Sequence, residues 1–202
     1  MSQSTCPPPA LTRTERVSAL GAGGVTIWFT GLPASGKSTV AAAVERRLVA
    51  AGRSAYRLDG DVLRTGINRD LGFDQAARAE NVRRAAEVAR LMADAGTVAL
   101  VALVSPYRAD RAEARALHER HGLPFLEVWV SAPVAVCERR DPKGLYARAR
   151  RGELADMTGV DGPYEASSAP ELELAGDVEV HEGASRVISL IEALTPAGVR
   201  PG

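Results

Sequence analysis

The sequence contains 202 residues, of which 46% are hydrophobic and 25% are charged, and its formal net charge at pH 7 is zero. This length and composition are typical of one globular domain with a substantial hydrophobic core. The zero net charge excludes a general attraction to nucleic acid or to a membrane surface. We therefore expect neither as a partner, and any anion must bind at a local cluster of cations.

Cysteine usage and hydropathy predict a cytoplasmic protein. Cys6 and Cys137 are the two cysteines, and Cys6 lies in a Pro-rich segment, so we expect no disulfide and a reducing compartment. No basic segment followed by an apolar one opens the chain, so we predict no secretory signal. The longest apolar run, residues 97–104, is too short to span a bilayer.

Strand and helix patterns alternate along the chain. Residues 1–20 are predicted to form a disordered leader (1–10) and a short helix, residues 21–195 a single domain, and residues 196–202 a tail. Strands are predicted over 25–30, 54–58, 97–104, 125–130, 172–174 and 178–180, and helices over 37–51, 62–67, 75–95, 108–120, 133–140, 146–151 and 184–194. This alternation predicts a three-layer α/β fold, with a parallel sheet between helices on both faces.

Residues 141–170 depart from this alternation. The segment is rich in Gly, Pro and charged residues, and it is long for a connection within a compact domain. We therefore interpret it as a functional lid, called the lid segment below. It carries Lys143, Arg148, Arg150 and Arg151, which could close over phosphates and exclude water. The alternative is a solvated basic helix.

A phosphate-binding motif organises the N-terminal half. Residues 31–39 fit the pattern G-x-x-x-x-G-K-[ST] between an apolar strand and an amphipathic helix, which is the context that this P-loop motif needs. Lys37 is predicted to reach the β- and γ-phosphates of a nucleotide, and Ser38 to bind Mg²⁺. An ordinary Gly-rich turn is the alternative. The residues predicted to bind the nucleotide, which the family resemblance below identifies as ATP, are Gly31, Leu32, Pro33, Ala34, Ser35, Gly36, Lys37, Ser38 and Thr39.

Further polar residues follow the next strands. Asp59 and Asp61 come after the second strand, where one could hold Mg²⁺ and the other could accept the proton of an attacking hydroxyl. A helix-capping turn is the alternative. Ser105 follows the third strand. Ligands of such folds bind beyond the carboxyl ends of the strands, so we expect these groups to share one site with Lys37 and Lys143.

An acceptor site is suggested by a second group of residues. Arg78 and Asn81 lie three residues apart and share a helix face, where a guanidinium and an amide could hold an anionic substrate. Arg64 is a third candidate, and a solvated helix face is the alternative for this set. Phe73 could stack on a base, although core packing is the more usual role of a lone aromatic residue.

The motifs together resemble the adenylylsulfate kinase (APS kinase) family of P-loop kinases. The similarity spans about residues 12–175, and its most specific parts are the Arg-x-x-Asn-x-Arg-Arg and Asp-Pro-Lys-Gly-Leu-Tyr stretches. The matching segments are 25–39, 58–61, 68–73, 78–84, 104–111, 137–146 and 163–166.

The resemblance implies ATP- and Mg²⁺-dependent phosphorylation of the 3′-hydroxyl of adenosine 5′-phosphosulfate (APS), giving 3′-phosphoadenylyl sulfate (PAPS) in sulfate activation. By this likeness Phe73 stacks on adenine, Asp61 lies near the metal and the substrate, and Asp59 lies near the attacking hydroxyl. Ser105 matches a position often labelled a phosphoserine intermediate, whereas in-line transfer needs no covalent step. The other implied substrate residues are Arg64, Arg78, Asn81, Val104, Lys143, Leu145 and Met157.

Three positions depart from the family pattern. Val62 and Thr65 stand where members often have Asn and His, and Met157 stands where the lid commonly has a Phe that forms the second wall around adenine. A family lid Lys also has no counterpart around residues 147–148. We expect these departures to affect substrate affinity more than the type of reaction.

Two other functions stay open. One is a P-loop kinase for another small hydroxyl compound, and the other is a catalytically inactive nucleotide-binding module that regulates a partner. The intact Lys37, Asp59 and Lys143 argue against the inactive module. The resemblance also suggests a homodimer and an association with the sulfurylase that makes the substrate.

Overall fold

The structure, a computed structural model, describes residues 11–194. The predicted leader, Cys6 and the predicted tail lie outside the described residues. The strands are β1 (Val25–Thr30), β2 (Ala55–Asp59), β3 (Val98–Ala102), β4 (Phe125–Val130) and β5 (Leu172–Leu174). The helices are α1 (Arg13–Leu20), α2 (Lys37–Ala50), α3 (Gly60–Thr65), α4 (Gln75–Asp94), α5 (Arg108–Arg120), α6 (Val134–Arg140), α7 (Leu145–Arg150) and α8 (Val180–Ala193).

The five strands form one parallel sheet in the order β2-β3-β1-β4-β5. The central strand β1 is buried along its whole length, and Ile27 pairs with Leu100 on one side and Leu126 on the other. A strand covered on both faces must be apolar nearly throughout, as this one is. The structure thus confirms the predicted parallel sheet.

Two hydrophobic cores cover the faces of the sheet and make the predicted three layers. Ile27 and Phe29 of β1 pack towards α2 and α8, against residues that include Val44 and Ile191. Trp28, between them in sequence, points to the other face, which α4 and α5 cover. Alternate residues of a strand face opposite sides, so this one strand supplies both cores.

The end of the chain differs from the prediction. Residues 178–180 were predicted to form a strand, but α8 already begins at Val180, four residues before the predicted start at Ala184. The buried positions of α8 include Gly183, Val187 and Ile191, which have helical spacing. Gly183 is a poor helix former and weakened this signal in the sequence, so the prediction of a strand was wrong.

The lid segment lies beyond the carboxyl ends of the strands and contains α7. Tyr146 of α7 and Met157 are buried in a third hydrophobic cluster with Leu32 and Cys137. The lid segment is therefore packed against the loop after β1. Across residues 11–194, no helix combines the length and the apolar character that a membrane crossing requires.

Candidate active site

The loop after β1 has the backbone geometry of a phosphate cradle. Gly31 has φ +149°, and a Cβ there would lie 2.5 Å from the carbonyl oxygen of Val130, so only glycine fits. Gly36 has φ +109° and precedes α2, whose N-terminus is capped by no side chain. The first N–H groups of α2 are thus available to an anion, and the helix dipole favours negative charge at this end.

Lys37 is folded onto this loop. Its Nζ donates to the carbonyl oxygens of Gly31 (2.9 Å) and Leu32 (2.6 Å) and to Oγ of Ser35 (3.2 Å). The side chain is 7% exposed, and burial lowers the pKa of its ammonium from 10.5 to about 8. A charged phosphate is a stronger acceptor than a carbonyl, so it would compete for these donors and favour the protonated form.

Asp59 caps α3 as well as lining the cavity described below. Its Oδ1 accepts from the backbone N–H of Asp61 (3.1 Å), and its Oδ2 accepts from Nη1 of Arg57 (2.7 Å). Asp59 is therefore a helix cap, as the alternative interpretation of the sequence expected, and its carboxylate lies at the carboxyl end of β2. The carboxylate is nearly buried and held on both oxygens, which fixes its orientation.

An ion pair between Asp61 and Lys143 joins the lid segment to α3, which follows the carboxyl end of β2. The Asp61 carboxylate is mostly exposed and forms an ion pair with the Lys143 ammonium, 82 residues further along the chain. A carboxylate that is open to solvent can exchange this partner for a cation or a substrate group. Ser38 lines the same cavity, and the two residues offer the hard oxygen donors that Mg²⁺ prefers.

The donor set fits a magnesium ion that is shared with substrate. Within residues 11–194, no group of three or more His, Cys, Asp or Glu side chains could enclose a metal ion. Mg²⁺ is usually bound by one or two protein oxygens together with phosphate oxygens and water. The Ser38 hydroxyl and the Asp61 carboxylate match that pattern.

Phe73 lies at the rim of the cavity and is 58% exposed, so the alternative of a core residue was wrong. The Arg64 guanidinium carbon lies 4.1 Å from the centre of its ring. Arg64 Nη1 also donates to the carbonyl oxygens of Leu71 and Gly72, both at 3.0 Å. These contacts hold the loop before α4, and they present an aromatic face beside a cation.

Arg78 joins this loop to the lid segment. Its Nε donates to the carbonyl oxygen of Phe73 (2.6 Å), and its Nη2 donates to that of Asp156 (2.8 Å). Asn81, one turn further along α4, is 8% exposed and lines the same cavity. The alternative of a wholly solvated helix face therefore does not apply to Asn81.

Ser105 belongs to a buried hydrogen-bond chain and is 3% exposed. Its Oγ accepts from Nε1 of Trp28 (3.1 Å) and donates to Oγ1 of Thr30 (3.0 Å), which donates to the carbonyl oxygen of Val104 (2.9 Å). Arg111 holds the Ser105 carbonyl at 2.6 Å, where the backbone has φ +39°. The hydroxyl is thus used as both donor and acceptor at the end of β3.

Met157 is 5% exposed and packs beside Leu32 and Tyr146, although it still lines the cavity. Its backbone N–H donates to Oδ1 of Asp161 (2.8 Å), which fixes this turn of the lid segment. Tyr146 OH donates to the carbonyl oxygen of Pro33 at 3.1 Å. The turn that carries Met157 is thus held against the phosphate loop.

One cavity of about 910 Å³ gathers the predicted site. Gly31 and Leu32 are the predicted site residues that do not line it; both are buried at the start of the loop, directly after β1. The predicted residues that line it are Pro33, Ala34, Ser35, Gly36, Lys37, Ser38, Thr39, Asp59, Asp61, Arg64, Phe73, Arg78, Asn81, Val104, Ser105, Lys143, Leu145 and Met157.

The prediction missed the part of the cavity beyond β5. Arg140 donates to the carbonyl oxygens of Ser35 (3.2 Å) and Gly176 (2.5 Å), and so links the phosphate loop to the connection between β5 and α8. Val178 and Val180 line the cavity there. Ligands of such folds bind beyond the carboxyl ends of the strands, and the connection after β5 is one such end. Residues 178–180 were instead assigned to a strand, so they were not considered as part of the site.

Comparison with known proteins agrees with this geometry. The family model described as adenylylsulphate kinase matches residues 23–175, which span the phosphate loop, the lid segment and all the predicted site residues.

The chain belongs to the adenylylsulphate kinase family.

Relatives of this family resemble nearly the whole chain. The adenylyl-sulfate kinase of Saccharomyces cerevisiae is 49% identical over 180 residues, which are 89% of each chain. The bifunctional enzyme CysN/CysC of Mycobacterium tuberculosis is 53% identical over 170 residues, covering 84% of this chain and 28% of that enzyme. The structure of the M. tuberculosis APS kinase CysC in complex with AMPPNP and APS superposes with a TM-score of 0.83 at 53% identity. It covers 85% of this chain and 99% of that one.

Proposed function

We propose that this protein transfers the γ-phosphoryl group of ATP to the 3′-hydroxyl of APS, giving PAPS and ADP. The observation that carries this proposal is the single cavity that joins the phosphate loop to Phe73, Arg78 and Asn81. Family membership supports the choice of APS, because a relative with the same fold has been solved with AMPPNP and APS together. A phosphate loop alone would support only nucleotide binding.

The donor half consists of residues 31–39. The backbone N–H groups of this loop and of the start of α2 surround the β- and γ-phosphates. Lys37 moves its donors from the loop carbonyls to phosphate oxygens, and its charge stabilises the transferring group. Ser38 and Asp61 would hold Mg²⁺, which would supply positive charge against the charge that develops on the phosphates.

The acceptor half lies between α3, α4 and the lid segment. Phe73 offers its exposed face to adenine, and Arg64, Arg78 and Asn81 bind the phosphosulfate end with positive charge and amide donors. Asp59 is fixed by Arg57 close to the carboxyl end of β2, where it orients the attacking hydroxyl. Val104, Leu145, Lys143 and Met157 complete the walls.

Transfer proceeds directly from ATP to the acceptor hydroxyl. The Ser105 hydroxyl is nearly buried, and its donor and acceptor capacities are met by Thr30 and Trp28. A phosphoryl group on this oxygen would replace the proton that is donated to Thr30, and in-line transfer needs no such intermediate. We therefore assign Ser105 the hydrogen-bonding role.

The deciding experiment incubates the purified protein with ATP, Mg²⁺ and a panel of hydroxyl acceptors, and follows ADP release and product mass. We expect turnover of APS with a mass increase of one phosphoryl group. Turnover of a nucleoside or a sugar acid in place of APS would establish the alternative kinase. Nucleotide binding without transfer to any acceptor would establish the regulatory module.

The family resemblance also supports a homodimer, a sulfurylase partner and a cytoplasmic location as further predictions. The kinase-like part of the M. tuberculosis relative is joined to a second activity in one longer chain. Light scattering of the purified protein tests the dimer, with a molar mass of twice 21.3 kDa expected. Co-elution with the sulfurylase of the same organism tests the association.

A further inference from the structure

A fully buried asparagine lies behind the acceptor half of the cavity. Asn68 is 0% exposed, does not line the cavity, and follows α3 in the loop that leads to Phe73. Its Nδ2 donates to Oδ1 of Asn81 at 3.0 Å. Asn68 is thus placed to act on the site through Asn81.

The backbone fixes Asn68 firmly in this place. Its N–H donates to the carbonyl oxygen of Leu63 at 2.8 Å, and its own carbonyl oxygen accepts from the N–H of Leu71 at 3.1 Å. The side chain therefore lies between the end of α3 and α4. A rigid neighbour of this kind can set the orientation of a side chain that binds substrate.

The bond decides which atoms Asn81 presents to the cavity. With Oδ1 of Asn81 directed to Asn68, its Nδ2 with two N–H donors remains for a ligand. Arg64 and Arg78 line the same cavity, so their guanidinium groups add further donors to those of Asn81. The opposite orientation of Asn81 would turn a carbonyl oxygen towards an anionic substrate, which is unfavourable.

Asn68 is not placed there for stability alone. Its Oδ1 is buried and has no hydrogen-bond partner among residues 11–194. A buried amide oxygen without a partner is destabilising, and an apolar side chain of similar size would avoid that penalty. The hydrogen bond from its Nδ2 to Oδ1 of Asn81 is therefore the best explanation for an amide at this position.

We propose that Asn68 is a positioning residue that holds the Asn81 amide with its N–H donors directed at the anionic end of the acceptor. This inference deepens the proposed function and rests on it, because the acceptor is taken to be APS. Asn68 itself does not touch the substrate.

The test is a double-mutant cycle of Asn68→Leu and Asn81→Ala, read as KM for APS, KM for ATP and kcat. Asn68→Leu alone should raise KM for APS about tenfold, the effect of one hydrogen bond to a charged group, and leave KM for ATP unchanged. In the Asn81→Ala background, Asn68→Leu should change KM for APS by less than about twofold, because its effect passes through Asn81.

Controls separate positioning from loss of structure. Leu63→Val loosens the end of α3 that Asn68 contacts, and it should lower the unfolding temperature without a selective rise in KM for APS. Asn68→Met is a second apolar variant in case the leucine does not fold, and it should reproduce the rise in KM. Thermal unfolding should show that both Asn68 variants are folded at the temperature of the assay.

Three results would overturn the proposal. The first is an unchanged KM for APS in both Asn68 variants, and the second is an equal rise in KM for ATP. The third is an effect of Asn68→Leu on KM for APS that is as large in the Asn81→Ala background as in the unaltered protein. Absence of APS turnover by the unaltered protein would count against the proposed function instead. That assay is run first, so the two failures are distinguishable.

Discussion

The indole N–H of Trp28 donates a hydrogen bond to the Ser105 hydroxyl across 3.1 Å, and so ties the centre of the sheet to the loop after β3. Trp28 is fully buried in the core beneath α4 and α5. The hydroxyl that the family resemblance marks for phosphorylation is thus part of the packed interior. We expect its role to be structural support for the end of β3 at the candidate site.

Ser105→Ala should therefore retain turnover within about tenfold of the unaltered protein, while it lowers stability. The substitution leaves the buried Trp28 N–H without its acceptor, which costs about 1–3 kcal/mol. Steady-state assays and thermal unfolding measure the two effects. Loss of transfer by two or more orders of magnitude at unchanged ATP affinity would instead support an obligatory phosphoserine.

Lys37→Ala should reduce phosphoryl transfer by at least about 10²-fold, because it removes a preorganised cation from the transferring group. Single-turnover assays with APS at saturating ATP measure the chemical step. Arg46→Ala, on the same helix but outside the cavity, is the matched control and should leave the rate unchanged. Near-normal activity of Lys37→Ala would mean that the nucleotide binds elsewhere.

Nucleotide binding should take up protons near pH 8. Burial lowers the Lys37 pKa to about 8, so about half of the molecules lack this proton at pH 8 before binding. The triphosphate raises the pKa, and the fraction of a proton taken up rises from near zero at pH 6.5 towards about one half at pH 8.

Calorimetry with a non-hydrolysable ATP analogue in buffers of different ionisation enthalpy measures this uptake. Lys37→Arg is the control, because a guanidinium stays protonated throughout this range. Binding heats that do not depend on the buffer at pH 8 would contradict the assignment of Lys37 to the phosphates.

Phe73→Ala should raise KM for APS about tenfold or more, since stacking of one base on an aromatic ring contributes about 1–3 kcal/mol. Phe73 is exposed, so its loss should scarcely affect folding. Phe73→Trp keeps an aromatic face and should stay within about threefold of the parent KM. A KM for APS that is unchanged in Phe73→Ala would exclude the ring from the acceptor site.

His118 should make the fold sensitive to acid. Its Nδ1 donates to the carbonyl oxygen of Ala114 (2.7 Å), and its Nε2 lies 2.8 Å from Oγ1 of Thr26, a hydroxyl from which a neutral ring can accept. Burial lowers the pKa of His118 below its usual 6.5. The unfolded chain then binds the proton more tightly than the folded one.

The stability that this neutral ring provides is complete above about pH 6.5 and is lost as the pH falls through the folded pKa. Urea unfolding between pH 7 and pH 4.5 should show it as a falling free energy of unfolding, and His118→Gln should flatten that slope. His121→Gln removes an exposed histidine near the same helix end and serves as the control. An identical slope in His118→Gln would contradict the assignment.

Much of the fold followed from local patterns. The apolar β1, the Gly-Lys-Ser turn and α2 are consecutive in sequence, so the phosphate loop could be predicted from periodicity and motif alone. The bounds of α5 and β4 also agree with prediction. The prediction failed at residues 178–180, where β-branched residues favoured a strand although the packing of Gly183 and Val187 against the core made a helix.

By itself, the sequence determined the parallel three-layer fold, membership of the adenylylsulphate kinase family and the residue types of the site, because these depend on short-range spacing and motif. Only the tertiary structure decided which side chains meet. It paired Asp61 with Lys143, Asn68 with Asn81, and Trp28 with Ser105, which are 82, 13 and 77 residues apart. Such pairs depend on the path of the connecting chain and on side-chain orientation, and no local pattern in the sequence encodes either of these.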